Sequence, residues 1–516
     1  MGDSNKLGKS SLSFGLMTMV SRVFGYSRDM VCAYLFGAGA AYDAFIIAFR
    51  IPNLLRRLFA EGAFSQAFIP VLSEYQAIHG HKKSKVLISK VATNLLIVLS
   101  VVILLGMIFA PQVVLLVAPG FSSNPEKFAM ASTLLRVTFP YILLISLTAF
   151  VGSVLNCQGK FAEAAFAPAL LNIAMILSAI FMHNKFAIPV MSLAWGVLFG
   201  GVAQLLFLLP RLYKVGLFPR FNMDWKDPGV KKILLLMGPA IIGASAGQIN
   251  SVIDSLFAST LVTGSISWLY YADRLMELPL GVFGVGIVTV LLPKLSRTFS
   301  TGNQEEYDII LDWGIRMVFL VGVPATLGLL LLSEPLICSL FMYGQFDEVD
   351  VISSSQALMA YSFAVLGIML TKILSSASYA RQNIKTPVKI SFIAVCLNLV
   401  LNMVLIKSMQ HNGLALATSI ASLFNALLLA IFIIREKYFN FQPGWLKFIM
   451  KIVLANIAMV VFLTTQLPPI DTWLATSRSD NVIQLLYFVV GGAIIYTTCI
   501  LASSRFSYRA LFFKTV

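Results

Sequence analysis

The first two apolar runs of the chain carry Arg22, Arg28, Asp29, Asp43, Arg50, Arg56, Arg57 and Glu61. If those runs cross a bilayer, the charges are expensive, because an ionisable group at the bilayer centre costs about 2.5–3.5 kcal/mol on insertion scales. At 1.5 Å per residue from an entry near Ala41, Arg50 would lie about 14 Å deep and Arg56 about 22 Å. Asp43, Arg50 and Arg57 are spaced by seven and so share one helix face, as do Ser21 and Arg28. Gly25 lies between Arg22 and Arg28, where it would permit a bend. Internal salt bridges would satisfy part of this set, but the deep arginines outnumber the deep acids. Surplus guanidinium asks for an anion, and its planar fork suits bidentate phosphate recognition. A phosphorylated or pyrophosphorylated ligand is therefore the sharper reading. Further along, Arg274 stands with Asp273 and Glu277, the two acids sharing a face at i and i+4. Arg274 would meet the first arginines if the two halves of the chain enclose a central cavity.

A second set is made of oxygen donors: Asp254 preceded by Gln248 and Asn250, then Asn398 and Asn402 one turn apart, and Thr418. Oxygen ligands of this kind could hold Na⁺ or relay a proton. Interhelical hydrogen bonding is the plainer reading. Nothing points to covalent catalysis. His79, His81, His183 and His411 fall in loops or at the ends of apolar runs, and no HExxH or Walker A pattern is present. The cysteines, Cys32, Cys157, Cys338, Cys396 and Cys499, have no CxxC spacing and imply neither a disulfide framework nor a zinc site. The expectation is a protein that is not an enzyme, with no catalytic residue, no certain metal ligand and no organic cofactor.

The elements that must position these residues are membrane spans. The chain is 58% hydrophobic and only 12% charged over 516 residues, where soluble domains run near half apolar and about a quarter charged. At about 20 apolar residues per crossing this supplies roughly fourteen spans. Runs of that length fall near 12–38, 41–72, 88–117, 132–156, 164–182, 187–210, 232–260, 266–293, 313–333, 354–378, 386–407, 413–434, 446–467 and 482–503. The net charge of +15 suggests nucleic acid at first sight, but its distribution decides otherwise. Alternate connections are basic: Lys82, Lys83 and Lys85; Arg211 to Lys232; Lys294 and Arg297; Arg381 and Lys385; Arg435 and Lys437. The others hold few basic residues, with Lys127, Lys185, Lys407 and Arg478 among them. This asymmetry places both termini and the basic loops in the cytoplasm and requires no nucleic acid. Arg22, Arg28 and Asp29 interrupt the first apolar stretch, which argues against a cleavable signal peptide.

An internal repeat of about 220 residues is visible. Ala48-Phe49-Arg50 with Pro52 resembles Ala272-Asp273-Arg274 with Pro279, Ile69-Pro70 resembles Leu292-Pro293, and Pro140-Tyr141 with Pro168 resembles Ala360-Tyr361 with Pro387. The fold class is thus an all-α polytopic membrane protein of about 14 helices. It has two pseudo-symmetric six-helix lobes, 1–220 and 221–440, and two further helices in 441–516. Lobes related in this way are an arrangement found in alternating-access transporters. Gly196xxxGly200 and the glycines from Gly281 to Gly286 read as helix-packing surfaces.

Ser21-Arg22-Val23-Phe24-Gly25 with Arg28-Asp29, Phe36-Gly37-Ala38-Gly39, Asp43-Ala44-Phe45 and the run from Pro52 to Phe68 resemble the MurJ/MviN family. Trp268 to Pro279, Gln382 to Pro387 and Gln442-Pro443-Gly444-Trp445 extend the resemblance over nearly the whole chain. That family belongs to the multidrug/oligosaccharidyl-lipid/polysaccharide exporter superfamily, and its members flip the peptidoglycan precursor lipid II across the bacterial inner membrane. The resemblance implies that Arg22, Arg28, Arg56 and Arg274 are cavity arginines, with Asp43 and Glu277 among their polar partners. It implies a cation site on Asp254, Asn398, Asn402 and Thr418, cycling between inward-open and outward-open states, and a groove for the lipid tail on the last two helices. The expected partners are lipid II and membrane lipids, with other cell-wall synthesis proteins as candidates. Membrane potential, with or without Na⁺ or H⁺, is the candidate driving force. The rivals are export of another polyprenyl-linked glycan or a drug, a glycosyltransferase using an acid from Glu334–Asp350, and a purely structural role.

Overall fold

A computed structural model of the chain describes residues 2–56 and 64–503. Arg57, Glu61 and the basic residues beyond Ser503 lie outside the described residues, which are helical without any strand.

The first half contains α1 (Gly2–Phe36), α2 (Ala40–Leu55), α3 (Phe64–Ile108), α4 (Ala110–Val117), α5 (Pro125–Thr138), α6 (Tyr141–Cys157), α7 (Phe161–Met182), α8 (Met191–Lys214) and α9 (Pro228–Ala258). The second contains α10 (Ser265–Pro279), α11 (Val285–Ser300), α12 (Gln304–Leu331), α13 (Ser333–Phe341), α14 (Glu348–Ala380) and α15 (Lys385–Arg435), followed by α16 (Trp445–Gln466), α17 (Ile470–Ala475) and α18 (Arg478–Ser503). Two of these helices are double. Gly80, at φ +71°, breaks α3, and Gln410, at φ +50°, breaks α15. Among the described residues ten stretches are long and apolar enough to span a bilayer, and the break in α15 makes one of them two. With α1, α2 and α9, the number reaches the fourteen expected from the sequence. The expected single run over 41–72 falls partly on residues 57–63, which lie outside the described residues. The described α2 ends at Leu55, and α3 begins at Phe64.

The repeat is legible element by element. The turn at Gly80 corresponds to the one at Gly302, φ +70°, between α11 and α12. The left-handed backbone that glycine adopts readily is used at both positions. The short α4 and α13 follow the third spans of their halves, and neither was foreseen as a separate helix. Around the second of the glycine clusters, Pro279 precedes a π-helical turn over Leu280–Gly284. Gly286 has open space around it, so it is not a packing surface. Gly196 and Gly200 are: a Cβ on Gly200 would lie 2.9 Å from the Cα of Leu171, and one on Gly196 would lie 3.0 Å from that of Met175. This is how α8 approaches α7 so closely.

The chain divides into two compact units, Met1–Gly264 and Ser265–Val516. In the first, α9, which the repeat assigns to the second lobe, packs on α3 and α4. Its approach is fixed by the preceding linker. Ser89 accepts from the Arg220 N–H at 3.0 Å, Thr93 accepts from the Asn222 N–H at 2.9 Å, and Asn94 donates to the Asp224 carbonyl at 3.0 Å. The Lys90 ammonium lies 2.8 Å from both Asp224 and Asp227. Asp227 in turn caps α9 by accepting from the Gly229 and Val230 N–H groups. In the second unit α12 does the corresponding work. Asp308 accepts from Asn440 at 2.8 Å, and Asp312 accepts from the Trp445 indole at 2.7 Å and pairs with Arg316 at 2.6 Å. Arg316 donates to the Pro443 carbonyl at 3.0 Å and lies over the Trp445 and Phe448 rings. The Gln442-to-Trp445 motif is thus the strap that brings α16 back to α12.

Most of the remaining surface is apolar. Only 28% of the apolar window of α18 is buried, and Leu454, Leu235 and Leu116 are among the large side chains left outside. Apolar surface on this scale marks contact with a membrane.

Replacing Gly200 by Leu should destabilise the protein by about 1–3 kcal/mol, the range for overpacking, and lower its melting temperature in detergent. Gly286→Ala should leave it unchanged or raise it, since a helical glycine costs about 1 kcal/mol against alanine. The Lys90 ammonium beside exposed Asp224 holds that carboxyl below the usual carboxylate range. Its contribution is therefore present at neutral pH and lost as pH falls through the lowered value. Hydrogen exchange of residues 218–227, corrected for intrinsic pH dependence, should rise in Lys90→Met at neutral pH and in the unaltered protein only below about pH 4.

Candidate functional site

Each arginine in the described spans can be followed to its partners. Arg28 is buried, and its Nε and Nη2 both donate to Asp29 Oδ1, at 3.0 and 2.6 Å. Its Nη1 donates to Asn172 Oδ1 on α7 at 3.0 Å, and the Asn172 amide reaches back to the Ser21 carbonyl on α1. This places the functional arginine of the sequence reading inside a network that ties α1 to α7. Arg50 lies in the second half of α2. It donates to the Ser251 carbonyl at 3.3 Å and to the Ser255 hydroxyl on α9. Arg56, half-buried, directs Nε and Nη2 to Asn53 Oδ1 at 3.0 and 2.8 Å.

Arg22 differs. It is half-buried, and among the described residues no carboxylate pairs with it. It stands at a cavity of about 460 Å³ whose walls come from α1, α3, α6, α7 and α8. Thr18, Ser21, Ser65, Thr148, Ser153, Asn156 and Gln204 give this recess its polar wall, and Ala149, Gly152, Ala164 and Ala165 leave the space. Apart from Arg22 and Ser21, these residues escaped the sequence reading because they are uncharged. The available signal was that Asn156 and Gln204 place amides within otherwise apolar spans.

Asp43 lies away from that recess. It is fully buried, 2.7 Å from the Lys127 ammonium, and accepts from the Gly264 N–H at 2.8 Å. Lys127, read from sequence as a loop cation, is itself buried at the start of α5 and stacks over Phe121. The pair ties α2 to α5 at the ends opposite the basic loops. Close to the repeat-related positions the second unit does the same with a neutral donor: the Trp268 indole donates to Asp350 at 2.8 Å, and His411 packs tilted against Trp268 at 5.0 Å and bonds the Ser353 carbonyl.

In the second unit Arg274 and Glu277 are paired at 3.2 Å and partly exposed, and Tyr270 accepts from Arg274 Nη2 while lying under its guanidinium. Of the oxygen donors, Asn402 donates to Asn398 at 3.0 Å and Asn398 to Thr418 at 3.3 Å, a ladder joining the two parts of α15. Asp254 belongs to the first unit, where Asn250 approaches its carboxylate at 3.5 Å. Among the described residues no cluster of three His, Cys, Asp or Glu side chains could hold a metal ion.

A helical membrane protein with a repeated six-span unit, glycine-packed helices and arginines within its spans has the architecture of a transporter of the multidrug and polysaccharide exporter type. The fold is shared with an inward-facing multidrug resistance transporter of that superfamily, with a TM-score of 0.68 at 14% identity, covering 83% of this chain and 98% of the other. Residues 32–477 match the family model described as lipid II flippase MurJ, and the chain belongs to that family. It is 43% identical over 503 residues to a probable lipid II flippase MurJ of Haemophilus influenzae, covering 95% of this chain and 98% of the relative. It is 41% identical over 457 residues to the lipid II flippase MurJ of Burkholderia cenocepacia, covering 88% and 89%. A solved structure described as lipid II flippase MurJ in an inward closed conformation superposes with a TM-score of 0.82 at 28% identity, covering 95% of this chain and 98% of that one. This is a family of transporters, not enzymes.

Removing one partner of a buried ion pair strands the other, at a cost of about 3–5 kcal/mol. Lys127→Met should therefore be strongly destabilising in detergent unfolding, and Asp43→Asn in the same chain should restore most of the loss. If Lys127 were a solvated loop cation, as its sequence position implied, the single substitution would have little effect.

Proposed function

We propose that this chain carries lipid II from the cytoplasmic to the outer leaflet of the bacterial inner membrane, with both termini in the cytoplasm, by cycling between inward-open and outward-open states. The observation that carries the reading is Arg22, a guanidinium inside a span with no carboxylate partner among the described residues, at the edge of a recess with one polar wall. A half-buried cation without a carboxylate among the described residues is poised for a ligand anion, and the pyrophosphate of lipid II supplies one. Arg274, partly exposed and held by Glu277 and Tyr270, is the corresponding charge of the second unit. Arg28 and Arg56 keep their geometry through Asp29, Asn172 and Asn53, so they contribute field and orientation.

Sugars and peptide cannot cross hydrocarbon unaided, because their polar groups would be unsatisfied there. A polar path replaces their hydration while the tail stays in lipid along the apolar faces of α16 and α18. An inside-negative potential favours outward movement of the anion. At about 2.3 kcal/mol per charge per 100 mV, two pyrophosphate charges gain roughly 4–5 kcal/mol. The potential, with or without a coupled Na⁺ or H⁺, biases the cycle.

Arg22→Ala and Arg274→Ala should fail to support growth of a strain depleted of its own flippase, with lipid II accumulating in the inner leaflet. They are better probes than Arg28→Ala, which would also strand Asp29. Growth with normal lipid II orientation in both variants would contradict the reading and favour a structural role. Rescue of a different polyprenyl-linked glycan, but not of lipid II, would reassign the substrate.

A further inference from the structure

The recess beside Arg22 has an unusual balance of hydrogen-bonding groups. Gln204 is 1% exposed, and its Nε2 donates to the Ala167 carbonyl at 3.0 Å. That bond fixes which end of the amide is which, since a carbonyl can face only the NH₂ group. The Gln204 Oε1 on the other side is buried and has no partner among the described residues. On α6, Asn156 Oδ1 is in the same condition. The hydroxyls of the wall do not relieve them. Ser153 donates to the Ala149 carbonyl at 2.8 Å and lies 3.0 Å from the Ser65 hydroxyl, and Thr148 donates to the Leu144 carbonyl at 2.7 Å, so the Ser153 and Thr148 hydrogens are spent within their own helix. The buried part of the recess therefore presents two amide oxygens in need of donors, Gln204 Oε1 and Asn156 Oδ1, with Arg22 at its edge.

This balance selects the chemistry of an occupant. Phosphate oxygens are acceptors only, and at the amide wall they would face other acceptors. A metal cation or an ammonium would satisfy those oxygens, but it would sit beside the Arg22 charge. A neutral group bearing O–H and N–H donors satisfies Gln204 and Asn156 and meets no like charge. The volume of about 460 Å³ falls within the range of about 300–1,000 Å³ found for small-molecule sites. We propose that the recess formed by α6, α7 and α8 beside Arg22 is a subsite for the hydroxyl- and amide-bearing sugar of the lipid-linked substrate, read through Gln204 and Asn156, with the anion held outside it at Arg22. This rests on the lipid II reading above and adds where the headgroup is distinguished from a bare lipid pyrophosphate.

The test measures binding of two probes to the purified full-length chain: lipid II, and undecaprenyl pyrophosphate, which has the same tail and a pyrophosphate with one more ionisable oxygen, but neither sugar nor peptide. Gln204→Met keeps the side-chain length and removes the acceptor, and Asn156→Leu does the same from a different helix, so that one failing to fold leaves the other. Melting temperature reports folding in each. In either variant the affinity for lipid II should fall about tenfold while that for undecaprenyl pyrophosphate stays the same. Arg22→Ala should weaken both probes. Equal losses for both probes in Gln204→Met and Asn156→Leu, or no loss for either, would overturn the subsite while leaving the lipid II reading intact. A wild-type chain that binds neither lipid would overturn both.

Discussion

A charge inside a bilayer must find a partner, and much of this structure follows from that requirement. Insertion costs of a few kcal/mol per ionised group are tolerated only where the group is neutralised or hydrogen-bonded. Arg28 is closed off by Asp29 and Asn172, Arg50 by α9, Lys127 by Asp43 and Arg316 by Asp312 and the Pro443 carbonyl. Arg28–Asp29 and Arg316–Asp312 lie within one helix each, but the bonds to Asn172, to α9, to Asp43 and to the Pro443 carbonyl join helices or straps, so interactions that make the charges tolerable also hold each unit together. Against this background Arg22 stands out, because the described protein supplies it with no carboxylate. In the proposed function the ligand supplies its partner.

The two units solve one structural problem with different chemistry. A helix following a left-handed glycine turn, the second part of α3 in one unit and α12 in the other, presents a polar face that captures the linker leaving the last helix of the repeat. In the first unit Lys90 receives acidic linker residues, and in the second Asp308 and Asp312 receive an asparagine amide and a tryptophan indole. The polarity has reversed while the role has stayed. The outer ties behave alike, an ion pair at Asp43 and Lys127 answering to a neutral indole–carboxylate bond at Trp268 and Asp350.

The fold was largely legible in the sequence because lipid imposes a simple rule on length and polarity. The spans, their number and the repeat all follow from apolar runs and matched prolines, and the structure alters them mainly where backbone breaks fall, at Gly80 and Gln410. The glycines of α8 were read correctly as packing residues, whereas Gly286 was not one. The site was legible only in part. Charges in apolar runs are conspicuous, so the arginines were found, but which of them were already satisfied depended on contacts distant in sequence, such as Asn172 with Arg28 or Ser255 with Arg50. Lys127 looked like a loop residue because burial by a following helix start leaves no trace in composition. Gln204 and Asn156 are ordinary neutral residues until their unsatisfied oxygens are seen.

The central claim is that unpaired positive charge inside the spans moves a lipid pyrophosphate between leaflets. It is tested most directly in proteoliposomes carrying fluorescent lipid II in one leaflet, with the label followed by a membrane-impermeant quencher. The purified chain should make lipid II accessible from the far side, faster when the potential is negative on the loaded side, and Arg22→Ala should abolish the movement. Lipid II that stays in its leaflet in the presence of the folded wild-type chain, or that moves equally well with Arg22→Ala, would contradict the account.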